Sequence, residues 1–144
     1  MKKHLFAIIF AIGISATINA GQTYAQSNAF RIDVPFAFTA NNKTLSAGTY
    51  IVRPASDSRI LWTLRNAHDE RDVFLMAGSL SGASREGVVR MTFRRYGERN
   101  FLIGFRSSSY QVGLAKSASE KDLQRTWNSV AQSDPAIVEA VAIN

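Results

Sequence analysis

Three observations on the 144-residue sequence predict an all-β fold, a mainly antiparallel sandwich or barrel, with one C-terminal α-helix. Apolar residues recur at every second position through several short runs, as on a strand with one buried face. Turn-forming residues punctuate those runs at intervals of about ten residues. The apolar period lengthens to that of a helix once, after Leu114.

The first segment stands apart from this pattern. Met1-Lys2-Lys3-His4 is a short basic stretch, and Leu5 to Ile14 is an apolar run of signal-peptide length, too short to span a bilayer comfortably. The small-residue rule fits cleavage after Ala25 (Thr23-Tyr24-Ala25). Ala20 (Ile18-Asn19-Ala20) is the second candidate, with a bulkier residue three positions before the cut. Gly13, Ser15, Thr17 and Asn19 interrupt the apolar stretch and argue against a retained anchor helix. We therefore expect a signal peptide over residues 1–25 and a single exported β-rich domain over 26–144, periplasmic or extracellular, with no transmembrane span after cleavage. Losing Lys2 and Lys3 leaves 15 Lys+Arg against 11 Asp+Glu, a charge of +4, and 12 of the 15 cations are arginine. That bias favours planar, bidentate contacts to carboxylate or phosphate. The absence of cysteine excludes disulfides, thiolate sites and a lipid-modified cysteine.

Phe30, Ile32, Val34, Phe36 and Phe38 alternate with polar or small residues and predict a first strand, in which Pro35 requires an edge position or a bulge. Asn41-Asn42-Lys43 is a turn, Leu45 an isolated apolar anchor, and Ala47-Gly48 leads into a second strand through Tyr50, Ile51 and Val52. Ile60, Trp62 and Leu64 form the buried phase of the next strand. It pairs as a hairpin, across the polar turn Asn66 to Arg71, with the more continuous apolar run Val73 to Ala77. Gly78 to Gly87, rich in Gly and Ser, is expected to be a mobile loop. Val89, Met91 and Phe93 then alternate again, and Tyr96 to Arg99 connects them to Phe101, Ile103 and Phe105. If both apolar sets face the core, Phe93 must oppose Ile103 and Met91 must oppose Phe105, across a loop with an odd residue count.

After Tyr110, Val112 and Leu114, Ser117-Ala118-Ser119-Glu120 reads as a capping box with Ser117 at the N-cap. The helix is expected over about 118–132, with Leu123, Trp127, Val130 and Ala131 as its apolar stripe. Asp134-Pro135 stops it, and a final strand is expected over about 137–143, a helical continuation being the alternative.

No residue constellation names a reaction. His68 stands beside Asp69, Glu70 and Asp72, which could make a metal or hydrolase site. The cluster lies in a turn, with no second histidine or helical spacing to converge the ligands, so a solvated polar turn is the expectation. Ser79, Ser81 and Ser84 lack a nucleophile-elbow context, and Gly78, Gly82 and Gly87 match no phosphate loop. Arg90, Arg94 and Arg106 are the candidate anion-binding residues. The register places Arg106 opposite Arg90, and Arg94 four residues from Arg90 along the same strand, on the same face. The alternative is that Asp72, or another carboxylate on a neighbouring strand, neutralises them. Trp62, Phe93 and Phe105, with Phe30, Phe36, Phe38 and Phe101, could line a cavity for a small apolar ligand, though packing the core is their ordinary role. Aromatics in the buried phase cannot stack on bases, so nucleic acid is not an expected partner. Asn42-Lys43-Thr44 is a glycosylation sequon with meaning only in a eukaryotic secretory host.

Val34-Pro35-Phe36-Ala37-Phe38, Leu45-Ser46-Ala47-Gly48-Thr49-Tyr50-Ile51-Val52 and Phe93-Arg94-Arg95-Tyr96-Gly97 with Phe101-Leu102 together resemble an uncharacterised family of small exported acidobacterial β-rich proteins. The Ser117 to Glu120 helix start belongs to the same resemblance. The commoner family pattern has Pro at position 46 and often His at position 94, where this chain has Ser46 and Arg94. The resemblance implies a secreted β-rich domain and supplies no catalytic residues. The expected function is thus non-enzymatic and needs no cofactor or metal: binding or structural association with an envelope component, or with an anionic glycan or lipid headgroup. The carrier and the His68 hydrolase or metal site are the alternatives.

Overall fold

The computed structural model describes residues 29–82, 87–130 and 133–142, so the expected signal segment and stretch 83–86 of the expected loop lie outside the described residues. Ten strands precede and follow one helix: β1 Phe30–Val34, β2 Phe38–Ala40, β3 Lys43–Leu45, β4 Gly48–Pro54, β5 Leu61–Asn66, β6 Asp72–Gly82, β7 Arg90–Tyr96, β8 Arg99–Arg106, β9 Tyr110–Leu114, α1 Ala118–Val130 and β10 Ala136–Val141. The chain is mainly β with one C-terminal helix, as its periodicities predict. Among the described residues, no helix is long and apolar enough to cross a membrane.

Hydrogen-bonded neighbours run β1-β4-β5-β6-β9-β8. Strand β8 then carries β7, itself paired to β10, and β2, itself paired to β3. Every pairing is antiparallel except the short contact of β2 with β8 at Thr39 and Phe101. The long strand β6 makes the bend. Its first half pairs with β5, its second half with β9, and the register shifts between Ala77 and Ser79. Gly78 sits at that shift, where a Cβ would come 3.2 Å from the Ala115 backbone nitrogen. The sheet curls until β1 and β10 approach, with a groove of about 800 Å³ along their seam and no ladder between them among the described residues.

One core fills the curl. Phe30, Phe105, Trp62 and Tyr110 form a ring cluster towards one end, with Trp62 4.9 Å from Phe105 and 4.7 Å from Tyr110. Phe36, Phe38, Tyr50 and Phe93 form a second cluster, with centroids 5.0–5.2 Å apart and mostly edge-to-face. That geometry is the one ring quadrupoles favour. The β2–β3 hairpin brings Phe38 into this second cluster. Its turn residues Asn41 (φ 46°) and Asn42 (φ 63°) both take the left-handed backbone of a two-residue type I′ connection.

Several sequence expectations require correction. Pro35 ends β1, so the predicted first strand is two strands, β1 at the sheet edge and β2 on another part of the sheet. Lys43–Leu45 is a strand in its own right. The expected loop from Gly78 is strand as far as Gly82, because β9 offers a partner. Ile60 precedes β5 and is 57% exposed, outside the buried phase assigned to it.

The register of β7 and β8 holds at Met91–Phe105 and Arg90–Arg106, but Phe93 opposes Leu102 rather than Ile103. A bulge absorbs Ile103, so the connection is the two residues Gly97 and Glu98, an even count. The extra residue reverses the side-chain phase. Leu102 joins the core, and Phe101 turns to the other face, where it meets Tyr96 at 5.8 Å.

Helix α1 lies over that second face. Ser117 Oγ accepts the Glu120 backbone N–H at 3.2 Å, which is the N-cap half of the box. The Glu120 carboxylate serves the sheet instead of reaching back. Leu123 and Trp127 are half-buried and Trp127 packs 5.8 Å from Tyr96, whereas Val130, assigned to the buried stripe, is 75% exposed. Ala131 lies outside the described residues.

Candidate functional site on the outer face of the sheet

Strand registers decide which side chains share a face. Arg31 pairs with Ile51, Ile51 with Arg65 and Arg65 with Asp72, giving one row across β1, β4, β5 and β6. The next row is Arg53, Thr63 and Phe74, and beyond it Leu61 lies opposite Met76. Successive positions alternate between faces, and Val52, Leu64, Val73 and Leu75 occupy the core, so these rows point outward. One corner of the outer face is therefore apolar and the other cationic.

The apolar corner is unusually open. Phe74 is 52% exposed and Met76 68%. Scattered exposed apolar residues need no explanation, but a contiguous group of large ones marks an interaction surface. Asn41 Nδ2 donates to the Phe74 carbonyl at 3.0 Å, so the β2–β3 turn satisfies part of this β6 edge without covering the side chain.

The cationic corner is organised around one carboxylate. Arg65 grips Asp72 through two parallel hydrogen bonds of 2.6 and 2.9 Å, and Arg53 Nη2 stands 3.6 Å from the same carboxylate. The hydrogen bond from Arg65 holds the Asp72 carboxyl below the usual range, against the opposing effect of desolvation. Asp72 in turn raises the Arg65 guanidinium above its ordinary value. Arg53 Nε also donates to Thr63 Oγ1 at 3.2 Å, laying its stem over a buried threonine beside Phe74. Three arginines thus share this face with Asp72 and, two residues from Arg31 along β1, Asp33, which accepts from Thr49 Oγ1.

Of the predicted anion-binding arginines, Arg90 and Arg106 stay opposite each other, and Arg94 is drawn under the helix by its partner. Arg94 Nη1 donates to Glu120 Oε1 at 2.7 Å under helix α1, where Glu120 is only 2% exposed. Arg90 Nη1 reaches Glu139 Oε2 on β10 at 3.0 Å. Arg106 lies opposite Arg90, as expected. Glu139 is a carboxylate on the neighbouring strand β10, as the alternative expected, and Glu120 comes from α1; Asp72 is instead engaged by Arg65 and Arg53. Tyr96 OH also contacts Glu120, and burial, then the Glu120 charge, pushes its phenol above the ordinary tyrosine value.

The proposed cavity residues stand among other rings. Trp62 and Phe93 are fully buried and Phe105 is 2% exposed. Trp62 Nε1 is satisfied by the Arg59 carbonyl at 2.7 Å. His68 lies in the β5–β6 turn, where its backbone N–H donates to Asn66 Oδ1. Two of the neighbouring acids have other partners: Asp69 is engaged by Arg71, and Asp72 by Arg65 and Arg53. Among the described residues, no three His, Cys, Asp or Glu stand close enough to hold a metal ion. Asp69 and Asp72 do line an open polar cleft of about 510 Å³, with Lys43, Asn66 and Arg71 at its rim and Tyr50 and Leu64 below.

Phe74 and Met76 are the site residues that periodicity alone does not single out. Their signal is the continuous apolar run Val73 to Ala77, where strands such as Phe30 to Val34 alternate. Such a run ordinarily means burial on both faces, and here one face is bare. The site belongs to a small curled β-sheet protein offering an amphipathic outer surface. Comparison with known proteins finds no matching family model, curated protein or solved structure.

Proposed function

We propose that the protein is an exported, non-enzymatic β-domain of the small acidobacterial kind its motifs resemble, acting by association of its outer surface with a component of the periplasm or envelope. The observation that carries this reading is the open apolar corner at Phe74 and Met76, on a sheet whose inner face is packed with rings. Covering each of these side chains contributes about 1 kcal/mol. That is enough for reversible association but too little for permanent anchoring. The Leu5 to Ile14 run and the basic residues before it support export.

The test is fractionation of cells expressing the full chain. Wild-type protein is expected in the exported envelope fraction, and the Phe74→Ser/Met76→Ser double variant in the soluble exported fraction. Both side chains are exposed, so the variant is expected to keep its melting temperature. Retention in the cytoplasm, or envelope association untouched by the double substitution, would overturn the reading.

A further inference from the structure

We infer that strand β1 is a self-complementary edge at which two copies of the chain pair, antiparallel, about a two-fold axis at Ile32. The inference does not depend on the envelope partner proposed above. β1 ends the β1-β4-β5-β6 half of the curled sheet, and among the described residues no ladder covers its outer edge. On that side β10 approaches without pairing, across a groove of about 800 Å³ lined by Asp33, Val34 and Pro35.

Hydrogen bonds fix which main-chain groups face the open side. The Thr49 carbonyl accepts the Ala67 N–H at 2.8 Å, and the Ala55 N–H donates to the Leu61 carbonyl at 2.8 Å, so the odd positions of β4 bond towards β5. The even positions Tyr50 and Val52 therefore bond towards β1, where they oppose Ile32 and Phe30. Arg31 and Asp33 are left with their N–H and C=O groups directed away from β4. Pro35, which has no N–H, marks where this edge stops.

Charged side chains on an edge ordinarily keep other strands away. Here two opposite charges stand two residues apart and select a register. An antiparallel newcomer must set its own outward-directed residues opposite Arg31 and Asp33, which leaves three registers for a second copy. Arg31 opposite Arg31, or Asp33 opposite Asp33, puts like charges face to face and is unfavourable. The third register puts Arg31 opposite the partner's Asp33 twice, by symmetry, with Ile32 opposite Ile32 and Phe30 opposite Val34. Both charged side chains are exposed, and among the described residues neither has an ion-pair partner, Asp33 taking only a hydrogen bond from Thr49 Oγ1. The axis stands perpendicular to the sheet, so the two Phe74 and Met76 corners of the pair face the same way.

The experiment is analytical ultracentrifugation of the protein recovered from cells expressing the full chain, over about 1 μM to 1 mM. Wild type is expected to show a monomer–dimer equilibrium in the micromolar range, since one five-residue edge is a small interface. Arg31→Asp and Asp33→Arg each set like charges opposite in every register, and each should weaken the dimer roughly tenfold or more. An equimolar mixture of the two variants restores opposite charges across the edge and should recover a heterodimer of near wild-type strength. That recovery separates edge repulsion from a folding defect.

A wild type that stays monomeric throughout, a dimer that neither variant weakens, or a mixture that stays monomeric would overturn the proposal. A dimer abolished by Phe74→Ser/Met76→Ser but intact in both charge variants would also overturn it, assigning the interface to the outer apolar corner.

Discussion

Arg94 Nη1 and Glu120 Oε1 lie 2.7 Å apart and tie helix α1 to the outer side of strand β7. The helix has few other fastenings. Trp127 rests on Tyr96, Asn42 Oδ1 accepts the Ser119 N–H at 3.0 Å, and most of the remaining helical side chains face solvent. A buried carboxylate is thus the main attachment of the helix.

Glu120→Ala should destabilise the protein by about 2 kcal/mol. Breaking a fully buried pair costs about 3–5 kcal/mol, and the 23% exposure of the Arg94 side chain lets water recover part of that loss. Glu120→Gln keeps a hydrogen-bond acceptor and should cost less. Urea unfolding gives the magnitudes, and Trp127 emission reports whether the helix leaves the sheet.

Asp72 should set part of the acid stability. Its folded-state pKa is lowered, chiefly by the Arg65 hydrogen bond. The associated stability is therefore present above the unfolded carboxyl value and is lost as pH falls through the lower, folded value. Melting temperatures across an acid series should show Asp72→Asn less stable than wild type at neutral pH and less sensitive to acid. Parallel curves for the two proteins would contradict the assignment.

Gly104 and Gly82 should respond oppositely to alanine. A Cβ at Gly104 would lie 2.6 Å from the Val112 carbonyl oxygen, which a paired strand cannot easily withdraw, so Gly104→Ala should cost about 2 kcal/mol. A Cβ at Gly82 meets nothing within 4 Å. Gly82→Ala should leave stability unchanged or raise it by about 0.5 kcal/mol. Chemical denaturation of the two variants checks both.

The two tryptophans should separate in a quenching experiment. Trp62 is fully buried between Phe105 and Tyr110, whereas Trp127 is half-buried on the helix. Iodide should quench one component of the emission, and Trp127→Phe should remove it. The remaining Trp62 emission should be blue-shifted and insensitive to iodide.

Period-two alternation made the strands legible, and the change of period after Leu114 made the helix legible, because both follow from which residues must leave water. Pairing carried further information only where nothing interrupted the count. Met91 and Phe105 oppose each other as alternation requires, but the bulge at Ile103 moves Phe93 to Leu102 and turns Phe101 to the helix side. No local signal marks that extra residue, since Leu102 and Ile103 are equally apolar. Gly78 was legible as an irregularity, yet its effect is to bend a continuing strand rather than to end it.

The candidate face was hidden for a different reason. Phe74 and Met76 look like core residues in sequence, and only the register with Thr63 and Leu61 turns them outward. The partners of Arg90 and Arg94 were equally non-local, 49 and 26 residues away.

The protein's own rings occupy the interior, which leaves the outer surface to do the proposed work. Native intact-mass measurement of protein recovered from the exported fraction tests it most directly. The expected result is a mass matching cleavage after Ala25 or Ala20, with no small-molecule or metal adduct. An adduct retained by the folded protein and lost on denaturation would contradict it, transferring the function to the interior around Trp62, Phe93 and Phe105 or to the cleft beside His68.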